Sequence, residues 1–313
     1  MKIVNLVENT AGASSCGTAH GLCFYVETKK HRLLIDSGPS GDLLLSNAEK
    51  KGVDLTKVDL VFLSHGHYDH GGGLAAFYGI NPDAKIYAQK GADGAFYAFR
   101  EDGEAHYIGL PDEVKALPGI VWIEGDEVID EEITLISGLA GDRLMPPGNA
   151  HIRMMKDGAL GQDSFSHEMC VAVTENGQTA LFSGCAHSGI LNILHRYREV
   201  CGGEPDYVFS GFHMRKHTGF TDDDIRVILE TAQELKEYAD TKFYTCHCTG
   251  IGPYEVMKRV MGSRLSYMHC GEELVIAPKK HSGRKNYMKQ HRFFAWATVF
   301  CFVMTMVTGY RRK

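Results

Sequence analysis

Four side chains able to bind a divalent metal fall within six residues: His65, His67, Asp69 and His70. They follow an apolar β-type run ending at Leu63, and three glycines, Gly71–Gly73, come next. Histidines at i and i+2 in an extended turn can place both imidazoles on one metal. Asp69 and His70 can then turn to a second ion nearby. Imidazole and carboxylate together suit zinc and other divalent ions. The glycines are expected to let the backbone bend sharply before a helix. A lone histidine is more often a satisfied core or surface residue, but four ligand-type residues at one strand end make that reading improbable. The chain carries sixteen histidines in 313 residues, several of them clustered.

The elements that must position these residues read as follows. Strand-like runs occur at Ile3–Val7, Leu22–Glu27, Arg32–Asp36 and Val58–Leu63, and Thr28–His31 reads as a hairpin turn. Asp42–Lys51 reads as a helix closed by Gly52. Further strands are expected at Lys85–Ala88, Ile120–Glu124, Ile133–Ile136, Met169–Thr174 and Thr179–Phe182. The last two are joined through Asn176-Gly177, a strong hairpin signal. Gly189–Val200 reads as a helix, Tyr207–Ser210 as a strand, Lys242–Thr245 as a strand, Pro253–Met261 as a helix and Glu273–Ile276 as a final strand. Thr221–Tyr238 gives the clearest helix, with Thr221 as cap, three aspartates at its positive end and one apolar face. Two sets of strands, with helices in each half, predict stacked sheets covered by helices. Stretches 91–118 and 137–165 read as loops over a site.

The run His65-x-His67-x-Asp69-His70 resembles the signature of the metallo-β-lactamase superfamily, over roughly residues 1–277. The resemblance implies a four-layer αβ/βα sandwich of class α/β, with metals at one edge between the sheets. His20-Gly21-Leu22, Leu34–Gly38, Gly184–Gly189, Gly211–Met214 and His247–Gly250 together resemble a subgroup. That subgroup contains dihydropterin–ribofuranosyl-aminobenzene phosphate synthases and many bacterial metallohydrolases. The resemblance implies that His247, at a strand terminus, is the last histidine ligand. It puts Cys185 in the place of a metal-bridging aspartate and suits His167 to the third histidine. His187, two residues beyond Cys185, is also well placed and is slightly preferred as a ligand; Cys185 and His167 remain close alternatives. Asp36 resembles an early aspartate that supports the ligand loop from behind and fixes histidine tautomers. His213 belongs to the subgroup pattern. With Arg215, Lys216 and His217 it forms a cationic loop suited to a substrate carboxylate or phosphate. His20 and Tyr68 are further pocket candidates.

Two divalent ions are therefore expected, zinc first, with manganese or iron(II) as alternatives. A two-metal site needs no protein nucleophile: bound water attacks a carbonyl or phosphoryl centre. Asp69 can orient that water and take its proton, and Asp69 and His213 are the catalytic candidates. The expected activity is hydrolysis of a small ester, lactone or phosphoester. The alternatives are a carbon–carbon bond-forming pterin transferase, implied by the subgroup, and a redox or non-catalytic metal protein. Redox di-iron members of this fold carry glutamate where this chain has His67, which disfavours that reading. No Gly-x-Ser-x-Gly and no strand-linked Gly-x-Gly-x-x-Gly supports serine-hydrolase or dinucleotide chemistry.

Composition fits these expectations. The chain is 44% hydrophobic and 23% charged, with net charge −6. Nine of its 33 basic residues lie in 278–313, which has no Asp or Glu, so the body holds 24 basic against 39 acidic residues. An acidic body argues against nucleic acid as a partner and leaves room for a small, even anionic, substrate. Nine cysteines without a secretory leader read as reduced thiols and a cytoplasmic body. Beyond a catalytic domain at 1–277, residues 278–292 read as a basic linker. Residues 293–309 hold 13 apolar residues of 17 and no charge, and Trp296 and Tyr310 lie near the ends. That pattern predicts a marginal membrane anchor with the enzyme on the cytoplasmic side.

Overall fold

The inner faces of two seven-stranded sheets meet on a shared apolar core. The structure, a computed structural model, describes residues 1–216 and 218–279. The first sheet runs, in spatial order, Glu273–Val275, Lys2–Val7, Cys23–Glu27, Arg32–Ile35, Leu60–Leu63, Lys85–Gln89 and Ile120–Ile123. The second runs Leu265–Tyr267, Lys242–Thr245, Tyr207–Ser210, Gln178–Ser183, Cys170–Glu175, Ile133–Ile136 and Glu127–Val128. Between them lie Ile3, Phe24, Phe62, Val171, Phe182 and Phe209, all buried. Phe182 stacks on Phe209 at 4.9 Å, and Phe24 meets Phe182 edge-on at 5.9 Å. Each such ring contributes roughly 1.5–3 kcal/mol by leaving water.

Helices cover both outer faces. Gly41–Lys50 and Leu74–Ile80 bury Leu44, Ala48, Leu74 and Phe77 against the first sheet. Ile190–Cys201, Asp222–Lys236 and Ile251–Met261 bury Leu194, Ile228, Leu235 and Met257 against the second. The result is the four-layer αβ/βα sandwich. Local chemistry explains its best-defined elements. Thr221 caps Asp222–Lys236 in a reciprocal capping box with Asp224. Asn176 and Gly177 both take positive φ, 53° and 71°, as a two-residue hairpin turn of the favoured hand requires.

Two expectations are corrected. Stretches 91–118 and 137–165 are not merely loops. They contribute Phe96–Phe99, Ala105–Tyr107, Ile152–Lys156 and Ala159–Gln162 to a separate four-stranded sheet. Short, half-exposed strands carry too little alternation for sequence to reveal them. Gly71–Gly73 do not make a sharp turn either. Gly72 and Gly73 stay in the right-handed region, φ −62° and −83°, so a short turn of helix, Tyr68–Gly71, runs almost directly into Leu74–Ile80. Their purpose is room: a Cβ on Gly72 would come within 2.2 Å of the Pro39 carbonyl oxygen, and one on Gly73 within 2.4 Å of that of Ser37.

Residues Met1–Pro278 form one compact unit. Among the described residues no helix is long and apolar enough to cross a membrane. The apolar segment at 293–309, nearly all of the basic stretch before it, and His217 lie outside the described residues.

Candidate metal centre

In each sheet the parallel strands end at one edge, and their C-terminal ends carry the polar residues. Arg32–Ile35 and Leu60–Leu63 run parallel and lead into Asp36 and into Ser64–His70. Gln178–Ser183, Tyr207–Ser210 and Lys242–Thr245 also run parallel and lead into Cys185 and His187, His213, and His247. This carboxyl edge is where ligands bind in open α/β sheets. Close approach there excludes a side chain at Gly184, where a Cβ would lie 2.1 Å from Ser64 Oγ.

The outward nitrogens of four histidines are each held by a polar partner. His70 Nδ1 donates to Asp36 Oδ2 at 2.6 Å. The same carboxylate accepts from the Ser64 backbone N–H at 2.7 Å and the Ser64 hydroxyl at 2.8 Å. Ser64 Oγ in turn accepts from His65 Nδ1 at 2.9 Å. His187 Nδ1 donates to Asn149 Oδ1 at 3.0 Å, and the Asn149 amide donates back to the His187 carbonyl, which fixes the amide's orientation. His247 Nδ1 donates to Asn9 Oδ1 at 2.8 Å. These partners orient the rings and leave each Nε2 pointed inward.

The inward atoms crowd together. His65 Nε2 lies 3.0 Å from His67 Nδ1 and 3.3 Å from His187 Nε2. His70 Nε2 lies 3.3 Å from His247 Nε2 and 3.1 Å from Cys185 Sγ. Asp69 Oδ2 sits 3.3 Å from His247 Nε2 and 3.2 Å from His20 Nε2. His65 and His187 are neutral and carry their protons on Nδ1, so their 3.3 Å contact sets two lone pairs face to face. Two nitrogens about 2.0–2.1 Å from one tetrahedral ion lie about 3.3 Å apart. The donor set therefore fits divalent metal. Three groups of potential ligand atoms meet here, His65/Cys185/His187, His70/Cys185/His247 and His20/Asp69/His247, and the Cys185 thiol is shared by the first two.

Electrostatics agree. Burial holds His65, His67 and His187 well below the ordinary histidine range, so they are neutral donors near pH 7. Burial also works against charge on Asp69, but His70, His247 and His20 outweigh it and keep the carboxyl well below its usual range. At His70 burial is again outweighed, by Asp36 and Asp69, which raise its pKa; in the metal-free chain they favour a proton on Nε2, in the place a metal ion would take.

His167 lies elsewhere. Its Nδ1 accepts the Gly66 backbone N–H at 3.1 Å and its Nε2 faces Asp163 at 3.2 Å, in a separate group with His67. The structure thus brings His187 and Cys185, rather than His167, onto His65 and His70. Lys216 is tied at 2.6 Å to Asp224 at the helix cap and not to the pocket. Cys246-His247-Cys248 forms no four-cysteine site, and no cysteine among the described residues is in a disulfide.

A cavity of about 640 Å³ opens over the centre. Asp69, Cys185, His187 and His247 line its floor, and Tyr68, Phe99, Arg100, Ile152, His213 and Arg215 contribute to its walls. His213 is half-buried in the cavity wall, its ring 4.1 Å from that of His187, and desolvation pushes its pKa down to about 3. Sequence reasoning missed Asn9, Asn149, Glu8 and Glu168. Each is a single polar residue with no local motif, recognisable only once distant loops are brought together.

The metallo-β-lactamase superfamily profile matches residues 16–247, and the chain belongs to that superfamily. It is 26% identical over 299 residues to 7,8-dihydropterin-6-methyl-4-(β-D-ribofuranosyl)-aminobenzene-5′-phosphate synthase of Methanocaldococcus jannaschii, covering 87% of this chain and 95% of the relative. An uncharacterised protein of the same organism is 28% identical over 278 residues, covering 85% and 97%. The crystal structure of a metal-dependent hydrolase of the β-lactamase superfamily superposes with a TM-score of 0.73 at 27% identity, covering 88% of this chain and 99% of that one.

Proposed function

We propose that the protein is a metal-dependent hydrolase of a small anionic ester, lactone or phosphoester. The observation that carries this reading is the set of inward histidine nitrogens 3.0–3.3 Å apart beneath the cavity. His65, His67 and His187 would hold one ion, Asp69, His70 and His247 the other, with Cys185 between them. Divalent ions held there would supply an acidified water and polarise the substrate's carbonyl or phosphoryl oxygen. Asp69 would orient that water and accept its proton. His213, neutral through burial, would hydrogen-bond the substrate oxygen as charge develops. Arg100 and Arg215 would pair with the substrate's anionic group.

The test is reconstitution of metal-free protein with zinc, manganese or iron(II), assayed against phosphodiesters, phosphomonoesters and lactones. Turnover that needs metal and saturates supports the reading; none across the panel overturns it. A relative named as a synthase, aligned over 95% of its length, favours a second reading as a pterin-dependent carbon–carbon bond-forming transferase. Consumption of a dihydropterin pyrophosphate with an aminobenzene acceptor, and no hydrolysis, would select it. We further propose that the body at 1–277 is tethered to the cytoplasmic face of a membrane by 293–309. If full-length protein stays in the supernatant without detergent after high-speed centrifugation, the tether is wrong.

A further inference from the structure

Two fully buried carboxylates lie just behind the centre and take no part in the roles above. Neither lines the cavity. Glu168 Oε1 accepts the backbone N–H of His187 at 2.7 Å, and its Oε2 accepts that of Ser188 at 2.8 Å. Glu8 Oε1 accepts the backbone N–H of His247 at 2.6 Å and the Tyr267 hydroxyl at 2.7 Å. Its Oε2 accepts the Thr10 N–H and hydroxyl, both at 2.6 Å. Each carboxylate thus grips the main chain at a residue whose imidazole reaches the centre. The gripped chain is in an unfavoured conformation both times: His247 has φ 50°, and Ala186, just before His187, has φ 55°. A non-glycine residue there costs of order 1–3 kcal/mol and persists only when its surroundings over-determine it.

Burying a carboxylate is itself costly unless its oxygens are filled with donors. Here the partners named for both groups are all donors, and hydrogen bonds to an ionised acceptor are about twice as strong as neutral ones. Glutamine would not substitute. Its NH₂ would face a backbone N–H, donor against donor, in each case.

We infer that Glu168 and Glu8 are positioning residues for the metal centre, one for each half. Glu168 presets the turn that aims His187, and Glu8 the turn that aims His247. This rests on the metal-centre reading and adds to it a division of labour between two residues.

The experiment is titration of metal-free, full-length protein with Co²⁺ alone, followed by its visible absorption. Glu168→Gln and Glu8→Gln are each expected to weaken one of the two equivalents by about 10–100-fold, the range for groups that orient ligands. The readout that separates positioning from general support is a double-mutant cycle. The Glu168→Gln effect should vanish when His187→Ala is already present and persist beside His247→Ala; Glu8→Gln should show the reverse. Wild-type affinity in either glutamine variant, or equal losses in both backgrounds, overturns the proposal. If a variant does not fold, amide hydrogen exchange on metal-free wild type decides. The His187 and His247 N–H groups should exchange far more slowly than solvent-exposed loop amides, and equal rates overturn the proposal. Wild type that takes up no Co²⁺ instead overturns the metal-centre reading itself.

Discussion

The two sides of the centre are built differently. On one side Ser64, His65, His67, Asp69 and His70 come from a single loop, braced by Asp36 from the neighbouring strand. On the other side Cys185 and His187 share one loop of the second sheet and His247 comes from another. Their braces are remote in sequence: Asn149 is 38 residues from His187, and Asn9 is 238 from His247. The compact loop carries its geometry largely within itself. The dispersed side has geometry only when the whole sandwich is assembled, so its residues should show graded and separable losses.

The sharpest way to break this comparison is at the compact loop. His65→Ala and Asp69→Ala are expected to lose bound metal, read by elemental analysis, and all activity above background. Unchanged metal content in both would refute the assignment. The next effect concerns the shared thiol. Because Cys185 belongs to both trios, Cys185→Ala should weaken both Co²⁺ equivalents, whereas His187→Ala should weaken one. The opposite order would make the cysteine a packing residue. Smaller again are the amide braces: Asn9→Ala and Asn149→Ala should cost about 10–100-fold in metal affinity, with folding retained. Equal metal affinity in wild type and both variants would show that the rings are oriented some other way.

The smallest effect is expected at the other end of Arg32–Ile35, far from Asp36. There His31 bonds Asp59 and, at 2.8 Å, Asp130, which lies between two strands of the second sheet. Partial burial opposes its charge, but the two carboxylates outweigh this and raise its pKa above 6.5. A raised folded-state pKa gives stabilisation that is complete below pH 6.5 and fades as pH rises through the folded value. His31→Gln should therefore lower the melting temperature at pH 5.5–6.5 and have progressively less effect at higher pH. The loss is at most about 1 kcal/mol, because the pair is partly solvated. A difference that grows with pH would contradict the ion-pair account.

This contrast also explains what could be read from sequence. The compact loop was legible because its ligands are six residues wide at the end of an apolar strand. Asp36 and His247 were legible through strand ends and the family resemblance. The Asn-Gly hairpin and the Thr221 helix followed from local turn and cap chemistry. The choice among His167, Cys185 and His187 was not legible, because all three sit on plausible loops and only the sheet order brings two of them to the centre. Glu8, Asn9, Asn149 and Glu168 were invisible for the same reason: their partners are set by topology, not by spacing.

The small sheet over the cavity has a consequence of another kind. It shares no ladder with either large sheet. Phe99 and Ile152 on it line the cavity, and Ile108, just past the strand Ala105–Tyr107, meets the ligand loop by accepting the Tyr68 N–H at 2.9 Å, beside a bridge between His67 and Gly109. Phe99 and Ile152 on this sheet can thus be exchanged without unpicking a strand of the sandwich. On this plan the centre and the walls above it can vary in descendants as two traits rather than one.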